Sequence, residues 1–177
     1  MKNKFLFLIL LCVIIYNLII NSYINNMQAV AVFQGKLKGS YVSFYQDGPK
    51  LPVKINIHVK NLMPGKHGFH IHEKGNLMKS DCSECAGHWN PYNKEHGGLN
   101  DINSHAGDLG NILANEMGEV NKHISTDKIT LYGKYSVLGR SIIVHADEDD
   151  LGKGGHDDSL TTGHAGKRLD CAVIGYA

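Results

Sequence analysis

An excess of charge of either sign is missing from this chain. Its 177 residues hold 18 Lys and Arg against 17 Asp and Glu, a formal +1 with histidine neutral. A nucleic-acid partner would want a basic face, so the composition argues against one. Any electrostatic function must come from local placement of charge. Helical periodicity is missing too: past residue 28 no stretch repeats its apolar residues at helical spacing. No Asn-x-Ser/Thr acceptor occurs beyond the first segment, so N-glycosylation is not expected. Cysteine is scarce. Cys12 lies in the apolar start, which leaves Cys82, Cys85 and Cys171, an odd number. In an oxidising compartment that reads as one pair and one leftover thiol.

Only one long apolar run is present. Residues 1–4 include two lysines, and residues 5–20 are almost unbroken apolar sequence, "FLFLILLCVIIYNLII". A basic start before a short apolar run reads as a secretory signal, residues 1–26 with an approximate end. The run is long for a signal core and short for a spanning helix, so an uncleaved anchor over residues 5–20 is the alternative. The following "NSYINNMQ" offers no clean pair of small residues for cleavage. The expectation is a secreted or secretory-pathway protein with no stable membrane partner unless the anchor is retained. The domain then spans 27–177, where losing Lys2 and Lys4 leaves 16 basic against 17 acidic residues, or −1.

Several segments alternate with period two. "VKINIHV" puts Val53, Ile55, Ile57 and Val59 on one face and Lys54, Asn56 and His58 on the other. "AVAVFQGK", "GSYVSFYQ", "GEVNKHI", "KITLYG", "RSIIVHA" and "CAVIGYA" also read as short strands between turn residues. Seven or eight such strands predict an all-β sandwich or barrel. Two stretches, 73–104 and 146–167, are long, Gly-rich and poor in apolar pattern. Loops that long in a compact domain are functional or disordered.

The chemistry gathers around "HGFHIHE". If Phe69 and Ile71 face the core, His70 and His72 share the other face, about 7 Å apart at Cα. Two imidazoles can converge on one transition metal from there. His88, His96, His105 and Asp108 follow, and His145 ends "SIIVH". Imidazole suits copper and zinc, and an added carboxylate suits zinc. His58, His67 and His123 are read as ordinary surface histidines.

"GFHIHEKG", "HWNPYNKEHGG", "HAGDLGN" and "GKGGHDDSLTTGHAGKRLDCAVIGYA" together resemble the copper/zinc superoxide dismutases from about Ala29 to Ala177. The resemblance implies an eight-stranded antiparallel Greek-key β-barrel or sandwich with two long functional loops. It implies copper at His70, His72, His88 and His145, and zinc at His88, His96, His105 and Asp108, with His88 shared. Asp149 matches the aspartate that links a copper-side to a zinc-side histidine, here His70 and His96; otherwise "DEDD" is an ordinary solvated acidic run. Arg168 matches the arginine that guides the anion. A Cys82–Cys171 disulfide is implied, with Cys82 six residues before His88 as in the family, which leaves Cys85 free.

The implied activity is dismutation of superoxide, with copper changing oxidation state, zinc structural and His88 handling a proton. A homodimer is the common state of relatives. Thr161 stands where many animal members carry a guiding lysine, with Lys153 and Lys167 as candidate replacements. His156 and His164 are extra loop histidines. Two other classes remain. A non-catalytic copper/zinc-binding module would need the ligands but not Arg168. A copper chaperone would want a thiol site, yet no C-x-x-C stands outside the first loop.

Overall fold

Period-two alternation becomes strand wherever one face meets the core. β3, Val53–Val59, buries Val53, Ile55, Ile57 and Val59 and turns Lys54 and Asn56 outward. In the structure, a computed structural model, residues 7–16 and 26–177 are described. Most of the expected signal segment, including its cleavage region, lies outside the described residues. Residues 7–16 are helical, and no described helix is long and apolar enough to cross a membrane.

The remaining strands are β1 (Met27–Val32), β2 (Tyr41–Gln46), β4 (Gly65–His72), β5 (Asp108–Ala114), β6 (Val120–Thr126), β7 (Ser141–His145), β8 (Arg168–Val173) and β9 (Gly175–Tyr176). They form two antiparallel sheets, ordered β6-β3-β2-β1-β9 and β5-β4-β7-β8. Between them lies a core that includes Phe33, Phe44, Phe69, Ile55, Ile71 and Ile142, all essentially inaccessible. Each such side chain stabilises the fold by about 1.5–3 kcal/mol relative to exposure. The all-β expectation holds.

Three details differ from the sequence reading. "KITLYG" alternates because Ile129 and Leu131 are buried, yet it forms no strand beyond a single Thr130–Ser136 bridge. Its polar groups bond Gln46 instead: Leu131 N–H donates to Gln46 Oε1 at 2.7 Å, and the Thr130 hydroxyl donates to the same oxygen at 3.1 Å. "DLGNILA" is a strand that the alternation hid, because Gly110 takes a positive φ of 75° and Asp108 is polar yet buried. The last run splits at Ile174 into β8 in one sheet and β9 in the other.

Two long connections position the site. The first joins β4 to β5 over residues 73–107, three residues beyond the expected end, and holds a 3-10 turn at Ser83–Cys85. The second joins β7 to β8 over residues 146–167 and holds the one-turn helix Ser159–Thr162. β4 is buried on both faces, its apolar side by the core and its histidine side by these loops.

Candidate metal centre

His70 and His72 stand on the non-core face of β4, and the end of β7 supplies His145. All are buried. His88 reaches them because the first loop returns to β4. Trp89 N–H donates to Ile71 O at 2.7 Å, Gly107 N–H to Trp89 O at 2.9 Å, and Glu73 N–H to Gly87 O at 2.9 Å. These bonds lay His88 opposite His72.

His70, His72, His88 and His145 can offer ligand atoms that all lie within 4.8 Å of one another. One nitrogen of each ring is tied outward. His70 Nε2 meets Asp149 Oδ2 at 2.7 Å, His72 Nδ1 meets Ala86 O at 2.9 Å, His88 Nδ1 meets Asp108 Oδ1 at 2.8 Å, and His145 Nδ1 meets Gly166 O at 3.3 Å. The other nitrogens, His70 Nδ1, His72 Nε2, His88 Nε2 and His145 Nε2, are buried with no partner. Buried polar atoms left bare are costly, so four in one place call for a shared occupant. An all-imidazole set of this kind fits copper, and outward bonds that fix each tautomer are what metal-binding histidines use.

The second cluster surrounds a carboxylate. Asp108 Oδ1 lies 2.8 Å from His88 Nδ1, 3.1 Å from His96 Nδ1 and 3.2 Å from His105 Nδ1. Asp108 Oδ2 accepts from His105 N–H at 2.9 Å and Gly97 N–H at 3.1 Å. Three imidazoles and one carboxylate fit a closed tetrahedral zinc site. His88 thus turns Nε2 to one cluster and Nδ1 to the other.

Asp149 joins the two from outside. Its oxygens meet His70 Nε2 at 2.7 Å and His96 Nε2 at 2.8 Å. Asn111 holds its backbone in return: Asp149 N–H donates to Asn111 Oδ1 at 2.8 Å and Asn111 Nδ2 donates to Asp149 O at 2.8 Å. Gly163 is required here. A Cβ on it would lie 2.0 Å from Asp149 Oδ1 and 2.4 Å from His96 Nε2, and its φ is +68°.

Proton affinities separate the clusters. Burial pushes His70 and His72 well below the ordinary histidine range, and the neighbouring His88 ring adds to it. Burial also depresses His88, and takes His145 down to about 4. Burial acts on His96 in the same sense, but bonds to Asp108 and Asp149 outweigh it and raise the ring to about 9. For Asp108 and Asp149 burial pulls upward, yet the surrounding rings hold both well below the usual carboxylate range.

Arg168 starts β8, paired in register with His145. Its guanidinium donates to Cys82 O and Ala86 O, each at 2.6 Å. Ala86 O therefore receives both Arg168 and His72. Cys82 and Cys171 form a disulfide with Cα atoms 6.1 Å apart, and Cys85 is free and buried. Of the other cations considered, Lys153 lies 3.4 Å from Asp101, and Lys167 is exposed. Thr161 Oγ1 donates to Asp158 O at 3.0 Å. His156 and His164 are exposed and stacked at 3.8 Å. His67 is not a surface residue: it is buried, with Nδ1 2.9 Å from His145 O and Nε2 2.8 Å from Met63 O. His58 and His123 pair with Asn121 and Asn56 on the outer face of the first sheet.

Two supporting residues escaped the sequence reading. Asn111 is one. The other is Arg140, whose guanidinium lies 3.1 Å from the Trp89 ring centre and donates to Glu73 O at 2.7 Å, bracing the loop segment that carries His88. Both act through backbone or ring contacts, which leave no residue spacing to read.

The copper/zinc superoxide dismutase (SODC) family profile matches residues 38–174. The chain is also 49% identical over 152 residues to a superoxide dismutase [Cu-Zn] of Paramecium bursaria Chlorella virus 1, covering 85% of this chain and 79% of that protein. With a match across most of its length and two histidine clusters that share one ring, the chain belongs to the copper/zinc superoxide dismutase family.

Proposed function

We infer that this chain is a superoxide dismutase, converting two superoxide anions and two protons into oxygen and hydrogen peroxide with copper and zinc as its metals. The carrying observation is the pair of clusters meeting at His88. Bound copper supplies one-electron oxidation and reduction, and zinc supplies charge without redox change.

The roles of individual residues follow from their contacts. His70, His72, His88 and His145 hold copper, and His88, His96, His105 and Asp108 hold zinc. Asp149 fixes the ring orientations of His70 and His96 from outside both metals. His88 Nε2 is the atom placed to take up a proton and to deliver it to the forming peroxide. Asp108, against His88 Nδ1, keeps that ring oriented while its other nitrogen works. Arg168 draws in the anion and orients it. The three carbonyls of residues 82, 83 and 86 fix the fork, and its charge acts on the nearby His72 and His145.

The protein is secreted after loss of a signal near residue 26, a reading supported by the basic start, the apolar run and the disulfide. It works as a homodimer. Exposed Val32 and Leu77 line a groove beside β8, and exposed apolar side chains of this kind suit a second copy.

Metal analysis and a superoxide assay on residues 27–177 test the function together. The expected result is one copper and one zinc per chain with turnover, and an Arg168→Ala loss of activity larger than its loss of metal. Full metal with no turnover would make the protein a binding module instead.

A further inference from the structure

Cys85 is used by neither metal cluster, yet it is placed beside the one disulfide. Cys82, Cys85, Cys171 and Ile143 form a buried cluster apart from the main core. Cys82 is the N-cap and Cys85 the last residue of one 3-10 turn, with Cys85 N–H donating to Cys82 O at 3.1 Å. The Cys85 thiol points at a backbone acceptor, Asn76 O, at 3.4 Å. The Arg168 guanidinium, bonded to carbonyls on both sides of Cys85, is close enough for the two to interact electrostatically. A thiol packed in one buried cluster with a disulfide has what exchange requires, a sulfur to attack close at hand.

We propose that Cys85 is an internal exchange thiol that moves the disulfide from Cys82–Cys171 to Cys82–Cys85. Cys85 gives up its proton and attacks Cys82 Sγ. The Cys82–Cys171 bond breaks, and Cys171 leaves with the electron pair and takes up a proton. One disulfide and one thiol remain, so no oxidant or reductant is consumed. Attack falls on Cys82 because the two cysteines share the turn, while Cys171 belongs to β8. The released Cys171 thiol has an acceptor in Asp170, which can bring a carboxylate oxygen within 4.8 Å of the two bridging sulfurs.

The exchange reaches the metal centre through the same turn. Cys82 and Ala86 both hold positive φ, 60° and 63°. Closing Cys82 onto Cys85 reshapes the turn whose carbonyls aim Arg168, and Ala86 O also holds His72. It also frees the first loop from β8. With both metals bound, His88 anchors this loop three residues after Cys85, so metal should oppose exchange and chelation should promote it.

The test uses the purified full chain at mildly alkaline pH, with and without a strong chelator. Samples are acid-quenched, alkylated with N-ethylmaleimide under acid conditions, digested without reduction and mapped by mass spectrometry. We expect a Cys82–Cys85 peptide with alkylated Cys171, several-fold more abundant after chelation. Its rate should not depend on protein concentration. Cys85→Ser and Cys85→Ala should show Cys82–Cys171 alone under both conditions. Among Cys82, Cys85 and Cys171, label confined to Cys85 throughout would overturn the proposal. So would a Cys85–Cys171 product, or a rate that rises with protein concentration.

Discussion

The two clusters share His88 but are built on opposite electrostatic plans. Around His70, His72 and His145 no carboxylate enters the ligand set, and burial pushes every ring toward the neutral form. Around His96 and His105 a buried carboxylate, Asp108, sits in the middle, and together with Asp149 behind it raises His96 to about 9 against the pull of burial. The first plan leaves bare nitrogens that favour a soft, redox-active ion and resist protons. The second carries its own negative charge, which suits a closed zinc site. Putting the shared ring between them lets one cluster orient the residue that the other uses.

The change that should damage this arrangement most is His88→Ala. Activity should fall by about 10²–10⁴-fold, the usual range for a lost proton-transfer group. Occupancy of both metals should fall as well, measured by elemental analysis. Full occupancy of both with near-normal turnover would dissolve the comparison. Arg168→Glu should come next, slowing dismutation by about 10–10³-fold, the scale of electrostatic focusing. Wild-type turnover should decline as salt rises, since screening acts over about 8 Å at physiological ionic strength. The variant should lose or invert that dependence while keeping copper. Asp149→Ala touches a ring in each cluster, so competition with a chelator should show both metals held about 10–100-fold more weakly. A loss confined to one metal would contradict its linking role.

The clusters should also divide by pH. Unfolded, a histidine titrates near 6.5, whereas folded His145 holds off protonation to about 4. Between those values the unfolded chain binds more protons, so stability falls as pH falls, by about 3 kcal/mol from this ring. His96 works in reverse: its contribution is complete below 6.5 and is lost as pH rises through about 9. Unfolding midpoints of the metal-free chain, followed from pH 4 to 10, should therefore decline at both ends. A curve that stays level between pH 4 and 6.5 would count against the proton-excluding cluster. The smallest effect is expected at Ala86, whose φ of 63° and ψ of −154° belong to glycine's range. Ala86→Gly should relieve about 1 kcal/mol, a melting rise of about 2–4 °C.

Much of this was legible because side chains repeat on simple periods. β3 reads directly, since its alternate residues meet the core and its partners on both sides are strands. "KITLYG" misled because alternation reports burial, and burial does not require a ladder when Gln46 takes the hydrogen bonds. Asp108–Ala114 was hidden by the polar residue and the positive-φ glycine at its start. The site histidines stood out by number and grouping, and the structure gathers His70, His72, His88, His96, His105, Asp108 and His145 into two buried sets. What holds them was not legible. The Ala86 carbonyl, the Asn111 clasp on Asp149 and the Arg140–Trp89 contact depend on how distant backbone segments meet.

Whether the two sites communicate through His88 can be read without turnover. Copper affinity and the copper absorption spectrum are measured before and after zinc is added, in the native chain and in His88→Ala. In the native chain, zinc should shift the spectrum and change copper affinity. In His88→Ala the response of any bound copper to zinc should be much smaller, leaving only what the Asp149 link carries. Identical responses in both chains would mean that His88 does not connect the sites.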